Sequence, residues 1–410
     1  MPDATVSVIR SSALGHIMVG EGTFAQTPEY LHGGMGIPKR DFYEQVNPTL
    51  KLGLRLLWGP RPYFDFPFAE EFDNQVLPGS REPWGYYHLD KWEGSPVLAR
   101  AEDPTGVRPG YHVENHAFVD FLERFFVGLG GKVIDATVVS VEVNEAGVES
   151  VTLDSGESHA AYFYVDASGF RAELIHGALG EPYISMREHL FCDRAVVGGW
   201  ARNEESIKPF TTAETMDAGW AWQIEHERII NRGYVFSSAF LSDDEAADEL
   251  RRKNPKIGEA DLRVVPFAAR RIRRAWVKNV AAIGNACGFV EPLEATNIQV
   301  ICVHAERMAE VLRGDDPPAA ATDYNRFVEA LWEDVRDFLA LHYRFNVRVN
   351  SPFWQMAVNE TPLGGLEEYV ARYQEIGPTL LTEQSSMFGH DGALALLLGM
   401  RVPWKTCTIS

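Results

Sequence analysis

The sequence predicts an α/β protein in which mixed sheets are surrounded by helices. Three observations predict it: short β-branched or alternating runs recur along the chain, glycine-ended amphipathic helices lie between them, and the portion from about Ala320 onward is mostly helical in pattern. With 410 residues, 45% of them hydrophobic and 11% aromatic, the chain can bury a large core. It is therefore predicted to be globular.

Charge and cysteine usage narrow the function classes. The formal net charge is −20, so nucleic acid and anionic membrane surfaces are repelled and a small molecule is the favoured partner. The four cysteines show no paired or metal-ligand spacing, and the N-terminus does not resemble a secretion signal. No apolar run approaches the roughly 20 residues that span a bilayer. The sequence favours a soluble cytoplasmic protein.

The first elements are strands. "TVSVIRS" (residues 5–11) is short and β-branched. "TLKLGLRLLW" (49–58) alternates like a half-buried strand and places Lys51 opposite the core, where pattern alone predicts a solvated edge lysine. "VENHAFVDFLERFFVGLGG" (113–131) has helical apolar spacing and ends in glycines.

The middle of the chain reads as further strands. "AYFYVDASGF" (161–170) is predicted as a buried strand whose end, at Ser168 to Phe170, lets a ligand approach the backbone. "GWAWQIEH" (219–226) places Trp220 and Trp222 on one face, as core aromatics. The remaining predicted strands are "KVIDATVVSVEV" (132–143), its hairpin partner "VESVTL" (148–153), and "YVFSSAFLS" (234–242), which follows the predicted turn "NRG" (231–233).

Helices dominate the last third. Ser242 and Glu245 form a predicted capping box. "TNIQVICVHAERMAEVLRG" (296–314) is a helix that Thr296 or Asn297 can cap and Gly314 can end, and "DYNRFVEALWEDVRDFLALHY" (323–343) is the clearest C-terminal helix.

The segment "AIGNACGFVEPLEATN" (282–297) sets Glu291 and Glu294 in an apolar, glycine-containing run. A glycine-rich turn before a helix favours an anion or an oxygen-bearing ring. A carboxylate in an apolar wall can act as a general base or charge partner. Alternatively, either glutamate caps a neighbouring N–H or pairs with an arginine of "ARRIRRAW" (269–276).

Several segments occur in the order of a known family. They are "MVGEGT" (18–23), "TLKLGLRLLW", "VDASGFR" (165–171), "GWAWQIEH", "FVEPLEAT" (289–296), and "RDFLALHY" (336–343) followed by "SPFW" (351–354). On these motifs the chain resembles the flavin-dependent tryptophan halogenase family from Val6 to about Trp354. The resemblance implies a glutathione-reductase-like, flavin-monooxygenase-type FAD-binding fold. It also implies two parts, a flavin module over 1–315 and a mostly helical substrate module over 316–410.

The resemblance implies a mechanism as well. Reduced FAD reacts with oxygen to a flavin hydroperoxide, halide attacks it, and hypohalous acid reaches an aromatic carbon in a separate pocket. Lys51 matches the lysine that binds hypohalous acid or carries the halogen, and Glu294 matches the glutamate near the substrate carbon. A separate flavin reductase would supply FADH2, and a homodimer is left open.

The resemblance also implies binding residues. Thr296 and Asn297 match the halide positions, for chloride or bromide. Trp220 and Trp222 would wall the flavin from the substrate, whereas His226, His304 and His342 lack metal spacing and are interpreted as ordinary, partly buried histidines. The flavin contacts implied are Ser11, Gly20, Glu21, Gly22, Thr23, Val138, Asp166, Gly169, Gly284, Asn285 and Ile298.

Some positions depart from the family pattern. Ala295, Asn297 and Glu225 replace a serine, a glycine and a proline, and the first two put halide affinity in question. The family's first strand and Gly-x-Gly-x-x-Gly turn have no counterpart, so we expect the chain to bind FAD poorly or to fold badly. We interpret Met1 as an internal methionine that results from a misplaced start codon or from truncation.

The substrate is the least constrained prediction. An indole, a pyrrole, a phenol or a peptide-borne tryptophan all stay open. Aromatic side chains after the lysine strand could line a pocket, a lid or the core. A flavin monooxygenase on the same fold and an inactive fragment are the alternative functions. The aromatic residues concerned are Tyr63, Phe64, Phe66, Phe68, Trp84 and Tyr86.

Overall fold

The computed structural model describes residues 5–15, 20–68, 109–258, 261–314, 317–378, 387–389 and 392–405. The α-helices are α1 (Lys39–Val46), α2 (Asn115–Gly128), α3 (Asp243–Lys253), α4 (Gly284–Cys287), α5 (Thr296–Val311), α6 (Pro317–Phe345), α7 (Pro352–Glu360), α8 (Glu367–Ile376) and α9 (Gly392–Gly399). The strands are β1 (Ser7–Arg10), β2 (Glu21–Gly22), β3 (Thr49–Lys51), β4 (Gly53–Leu57), β5 (Phe64–Pro67), β6 (Gly110–Val113), β7 (Lys132–Asp135), β8 (Val138–Asn144), β9 (Gly147–Leu153), β10 (Ser158–Ala160), β11 (Tyr164–Asp166), β12 (Tyr183–Ser185), β13 (Arg194–Ala201), β14 (Thr211–Met216), β15 (Gly219–Glu225), β16 (Ile229–Phe236), β17 (Arg263–Pro266), β18 (Arg270–Ile272), β19 (Trp276–Val277), β20 (Val280–Ala282) and β21 (Gly288–Phe289).

The largest sheet has seven strands in the order β17-β13-β16-β15-β14-β4-β5. Neighbouring strands in this sheet are antiparallel, except that β14 and β4 are parallel. The described residues also form five smaller sheets, which include two parallel pairs, β1 with β7 and β11 with β20. Mixed sheets with surrounding helices confirm the predicted fold class.

The segment predicted as one strand over 49–58 is two strands in different sheets. The chain turns at Leu52, whose N–H donates to Pro209 and whose carbonyl accepts from Phe68. β3 pairs with β6, whereas β4 lies between β14 and β5. Because both faces are covered at this junction, Lys51 is 0% exposed, and the prediction of a solvated edge lysine is wrong.

The strands around residue 135 differ in a similar way. The predicted strand over 132–143 divides into β7 and β8, which belong to different sheets. The predicted buried strand ending at Ser168 is present as β11, but Val165 is 43% exposed, so it is buried only in part.

The predicted hairpin after Gly219 is present, but its turn lies elsewhere. β15 and β16 pair from Gly219–Phe236 to Glu225–Ile230, so the turn is at 226–228 and "NRG" lies inside β16. Gly233 faces Trp222, and a methyl group there would lie 2.1 Å from the indole ring. This glycine therefore serves side-chain packing rather than a turn.

The helices follow the prediction more closely. Ser242 and Glu245 form the predicted capping box. α5 begins after Ala295, which has φ +57° and makes no side-chain cap, so capping by Thr296 or Asn297 is wrong. The C-terminal region is helical as predicted, and the main core includes residues before and after position 315. In the described residues no helix is long and apolar enough to cross a membrane.

Candidate active site

Glu291 and Glu294 lie in the loop between β21 and α5, and both are completely buried. Each has one partner in the last turns of α6, where His342 and Tyr343 are consecutive. Residues distant in sequence thus fasten one acidic loop to one helix.

Glu294 contacts a histidine. Its Oε1 lies 2.7 Å from His342 Nε2, and His342 Nδ1 lies 3.0 Å from the carbonyl oxygen of Phe338. Glu294 Oε2 has no hydrogen-bond partner among the residues described. One oxygen of Glu294 is therefore fixed and the other is available.

Glu291 has a structural network around it. Its Oε1 accepts hydrogen bonds from Trp220 Nε1 at 2.9 Å and from the hydroxyl of Tyr343. Cys192 Sγ lies 3.3 Å from the same hydroxyl. Burial raises the pKa of Glu291 to about 7, although the two hydrogen bonds oppose that effect.

These contacts overturn two predictions. Arg271 pairs with Glu329 and Glu333, and Arg274 pairs with Glu181, so the loop glutamates do not find their partners in "ARRIRRAW". The histidines predicted as partly buried are all buried, and His342 directly contacts a predicted catalytic residue. The one sequence signal for it was its place in "RDFLALHY".

Lys51 is a buried cation. Its Nζ lies 5.0 Å from the centroid of the Phe68 ring and has no hydrogen-bond partner in the described part of the chain. Loss of hydration lowers the pKa of Lys51 to about 7, and the charge of Glu294 opposes this shift. Lys51 is therefore partly neutral at physiological pH and lies within electrostatic reach of Glu294.

A cavity with mostly apolar walls borders the loop of Glu291 and Glu294 at Pro292 and Ala295. Five predicted site residues share it, although they are up to 277 positions apart: Gly20, Glu21, Gly22, Asn285 and Asn297. Its apolar wall includes Trp222, whose indole Nε1 is buried and unbonded within the described residues. Further residues around it are Phe170, Ala195, Val197, Thr211, Ile224, Val235, Val265, Phe267, Phe289, Pro292 and Ala295.

Polar groups occupy one edge of this cavity. Asn115 accepts from the Gly20 N–H at 3.1 Å and donates to Glu21 Oε1 at 3.1 Å, while loss of hydration raises the pKa of Glu21 to about 7. A methyl group at Gly20 would lie 2.5 Å from both His226 Nε2 and Asn231 Nδ2. Gly20 has φ +72°, so both space and backbone conformation require glycine.

A second set of predicted flavin residues lies at the ends of the parallel strands. Ser11 follows β1, and its hydroxyl lies 2.7 Å from that of Thr137, next to Val138. β11 and β20 are parallel neighbours, so Gly169 and Gly284 follow at the same sheet edge. Ligands of parallel sheets bind at such carboxyl ends.

Three predicted flavin contacts have other roles or positions. Asp166 accepts backbone hydrogen bonds from Ser168, Leu174 and Ile175. Thr23 accepts from the N–H of Tyr111 at 2.8 Å. Neither these residues nor Ile298 border the cavity.

The predicted halide residues begin α5. Thr296 is completely buried, and its Oγ1 has no hydrogen-bond partner among the residues that the structure describes. Asn297 borders the cavity. A buried hydroxyl at the positive end of a 16-residue helix is suited to a small anion.

Glu225, which replaces a family proline, makes a buried ion pair. Its Oε2 lies 2.5 Å from Arg202 Nη2, and Arg202 Nε donates to the His226 carbonyl at 3.0 Å. Thr49 Oγ1 donates to the Glu225 carbonyl at 2.5 Å. The ion pair thus joins the end of β15 to the end of β13, and the Thr49 hydrogen bond fixes it against the strand that carries Lys51.

The predicted aromatic residues are only partly described. Phe64, Phe66 and Phe68 belong to the main core, and the Tyr63 ring stacks on Arg55. Trp84 and Tyr86 lie outside the described residues. No group of three or more metal-ligating side chains occurs in the part of the chain described.

Comparisons with known proteins relate the chain to halogenases. A family model described as tryptophan halogenase matches residues 1–408. Tryptophan 7-halogenase KtzQ of Kutzneria sp. (strain 744) is 30% identical over 414 residues, which cover 91% of this chain and 77% of KtzQ. Tryptophan 7-halogenase RebH of Lentzea aerocolonigenes is 27% identical over 411 residues, which cover 90% of this chain and 77% of RebH.

Solved structures agree with this relationship. MibH, described as a lathipeptide tryptophan 5-halogenase, superposes with a TM-score of 0.87 at 32% identity over 98% of this chain and 82% of MibH. BrvH, a flavin-dependent halogenase from Brevundimonas sp. BAL3, has a TM-score of 0.86 at 28% identity over 98% of this chain and 85% of BrvH.

Proposed function

Because the chain belongs to the tryptophan halogenase family and is a flavin-dependent halogenase, we propose that it halogenates an aromatic, indole-like substrate with FADH2, O2 and chloride or bromide. The observation that carries the proposal is the pair of buried, incompletely bonded groups Lys51 and Glu294, which border no metal cluster in the described residues. Burying such groups without partners costs stability, and buried groups of this kind cluster at functional sites.

The apolar cavity fits the FAD ring. A planar ring could pack on Trp222, Phe267 and Phe289, and the Gly20–Gly22 backbone and Asn285 would bind its polar atoms. When bound and reduced, FAD would supply the two electrons that activate O2, and the activated oxygen is the oxidant that converts halide to hypohalous acid. The strand-end residues Ser11, Val138, Gly169 and Gly284 would hold the rest of the cofactor.

Lys51 positions the oxidant in this proposal. Its ammonium donates to the oxygen of hypohalous acid and directs the halogen towards the substrate, while the neutral amine can carry the halogen as a haloamine. The lowered pKa of Lys51, about 7, makes both forms available near neutral pH. Burial excludes bulk water that would otherwise dilute or consume the oxidant.

Glu294 acts on the substrate carbon in this proposal. Its Oε2 is available in the structure, so it can polarise the oxidant and accept the ring proton after the halogen has been added. Thr296 Oγ1 and the N-terminal N–H groups of α5, including that of Asn297, would bind the halide before oxidation.

The substrate is an aromatic small molecule or an aromatic side chain of a peptide. KtzQ and RebH are described as tryptophan halogenases, and MibH is described as a lathipeptide tryptophan halogenase. Both kinds of substrate therefore occur among similar proteins. A separate flavin reductase would provide FADH2.

The direct test is a reaction with FAD, a flavin reductase, NADH, oxygen and bromide or chloride. Indole, tryptophan and tryptophan-containing peptides are offered, and the halogenated product is identified by its isotope pattern. Wild-type protein should give product, and Lys51→Met should lower its formation by at least about 10²-fold because the oxidant is no longer held.

Two controls complete the test. Lys39→Ala, which removes an exposed lysine at the start of α1, should leave product formation unchanged. Unaltered halogenation by Lys51→Met would refute the assigned lysine, and substrate hydroxylation in halide-free buffer would favour a monooxygenase instead.

A further inference from the structure

His342 has no role in the chemistry proposed above, yet it is completely buried and contacts Glu294. Its ring packs edge-on against Trp58, with centroids 5.7 Å apart, and against Phe338, with centroids 5.4 Å apart. The imidazole is therefore held in one orientation and shielded from water.

The hydrogen bonds of His342 show how many protons lie between His342 and Glu294. The Phe338 carbonyl can only accept, so Nδ1 must carry a hydrogen. A neutral imidazole would then present a lone pair on Nε2 to Glu294 Oε1, 2.7 Å away. Two lone pairs at that distance repel, so the contact requires one proton between them.

We propose that His342 and Glu294 form a dyad that holds one proton, in which His342 is a positioning residue that keeps Glu294 Oε2 basic and aimed at the substrate. The inference rests on the proposed function, because it assigns Glu294 the ring proton. With the proton on His342, the imidazolium donates to Oε1 and the negative charge of the carboxylate is balanced inside an apolar site.

The proton balance of the step is complete. When the halogen bonds to the ring carbon, the oxygen–halogen bond breaks and its electron pair leaves with hydroxide. Glu294 Oε2 then takes the proton of that carbon, and the electrons of the carbon–hydrogen bond restore the aromatic ring. Glu294 passes the proton to the hydroxide, giving water, and the dyad returns to one proton.

Other titratable groups near the dyad come from four parts of the chain: β3, the β21–α5 loop, α6 and the segment before β13. Lys51 on β3 interacts electrostatically with Glu294. Glu291 lies in the same loop, and Tyr343 and Cys192 complete its network. Because Glu291 is already bonded to Trp220 and Tyr343, it does not compete for His342.

Nuclear magnetic resonance tests the dyad without any turnover. In protein labelled with ¹⁵N-histidine, His342 should have a protonated Nδ1 and a strongly downfield Nε2–Oε1 proton, and that proton signal should disappear in both His342→Gln and Glu294→Gln. A neutral His342 with its hydrogen on Nε2 alone, or a signal that persists in both variants, would overturn the proposal.

Kinetics test the role of the dyad. His342→Gln keeps an N–H donor for Glu294 but cannot carry the charge, so kcat at pH 7 should fall at least about tenfold, with KM little changed. The loss of kcat should be larger at low pH than at high pH, because the imidazolium that balances the charge of the Glu294 carboxylate is absent from the variant. A loss equal at every pH would indicate packing alone and refute the role.

The matched control is His304→Gln, which changes another completely buried histidine, on α5. It should leave the downfield proton and the pH profile unchanged. If wild-type protein halogenates no substrate, the proposed function fails, while the magnetic resonance result still decides whether the one-proton dyad exists.

Discussion

At the residue scale, Lys51 shows how a site can oppose stability. An ammonium with no hydrogen-bond partner in the described residues, resting near one aromatic ring, has lost most of its hydration. Its pKa falls from 10.5 to about 7 for that reason. The unfolded chain therefore binds a proton between pH 7 and 10.5 that the folded chain lacks, so this group favours unfolding as the pH falls through that range.

We expect Lys51→Met to stabilise the protein while strongly lowering halogenation. The thioether side chain fills similar space without a buried charge, so the free energy of unfolding at pH 7 should rise by on the order of 2–4 kcal/mol. Urea denaturation of flavin-free protein at pH 7 and pH 9 measures this. The gain should be smaller at pH 9, and a less stable variant at pH 7 would contradict the expectation.

At the element scale, the β15–β16 pairing sets the shape of the flavin cavity. Trp222 lies opposite Gly233, and the absent side chain lets the indole lie flat across the neighbouring strand. The same indole forms part of the cavity wall. Strand register and ligand site are thus linked through one glycine.

Gly233→Ala should therefore affect flavin binding as well as stability. The added methyl group would displace the Trp222 ring, costing about 1–3 kcal/mol of unfolding free energy and weakening FAD binding several-fold. Fluorescence-quenching titration with FAD and urea denaturation measure the two effects.

Gly198→Ala, on the adjacent strand β13, is the matched control for that change. There the methyl group meets only the end of the flexible Leu262 side chain, so both effects should be small. Equal effects of the two substitutions would show that any strand glycine is sensitive, irrespective of Trp222.

At the scale of the whole molecule, α6 joins the C-terminal region to the site. Its His342 and Tyr343 bind the two loop glutamates, and its Trp332 ring lies where a side chain at Gly288 would be, 2.7 Å from the added atom. The main hydrophobic core also includes residues on both sides of position 315. The predicted division at 315 remains a proposal about function, since the packing is shared.

A chain ending at residue 315 should therefore not fold alone. It would expose the core surface that α6 covers and leave Glu291 and Glu294 without their partners, so we expect no cooperative thermal transition in calorimetry. Adding residues 316–410 as a separate chain should restore one in part. A monomeric, cooperatively folded 1–315 fragment would refute this view.

The sequence by itself determined the fold class, the capping box at Ser242 and the order of the family motifs, because these depend on local residue chemistry and spacing. It also singled out Glu294 as a carboxylate in an apolar run, whereas Lys51 and the glycines of the flavin cavity were assigned roles only through resemblance. The alternating pattern at 49–58 wrongly predicted an exposed lysine. Such alternation is expected for one strand in one sheet, whereas the chain here leaves one sheet and enters another.

Only the tertiary structure decided what the acids contact. Nothing local links Glu294 to His342, 48 residues later, or Glu291 to Trp220, 71 residues earlier. Proton sharing, the burial that lowers the pKa of Lys51, and the cavity around Gly20 and Asn297 all depend on which distant surfaces exclude water from one another. Desolvation is a property of the folded molecule, and no residue pattern along the chain measures it.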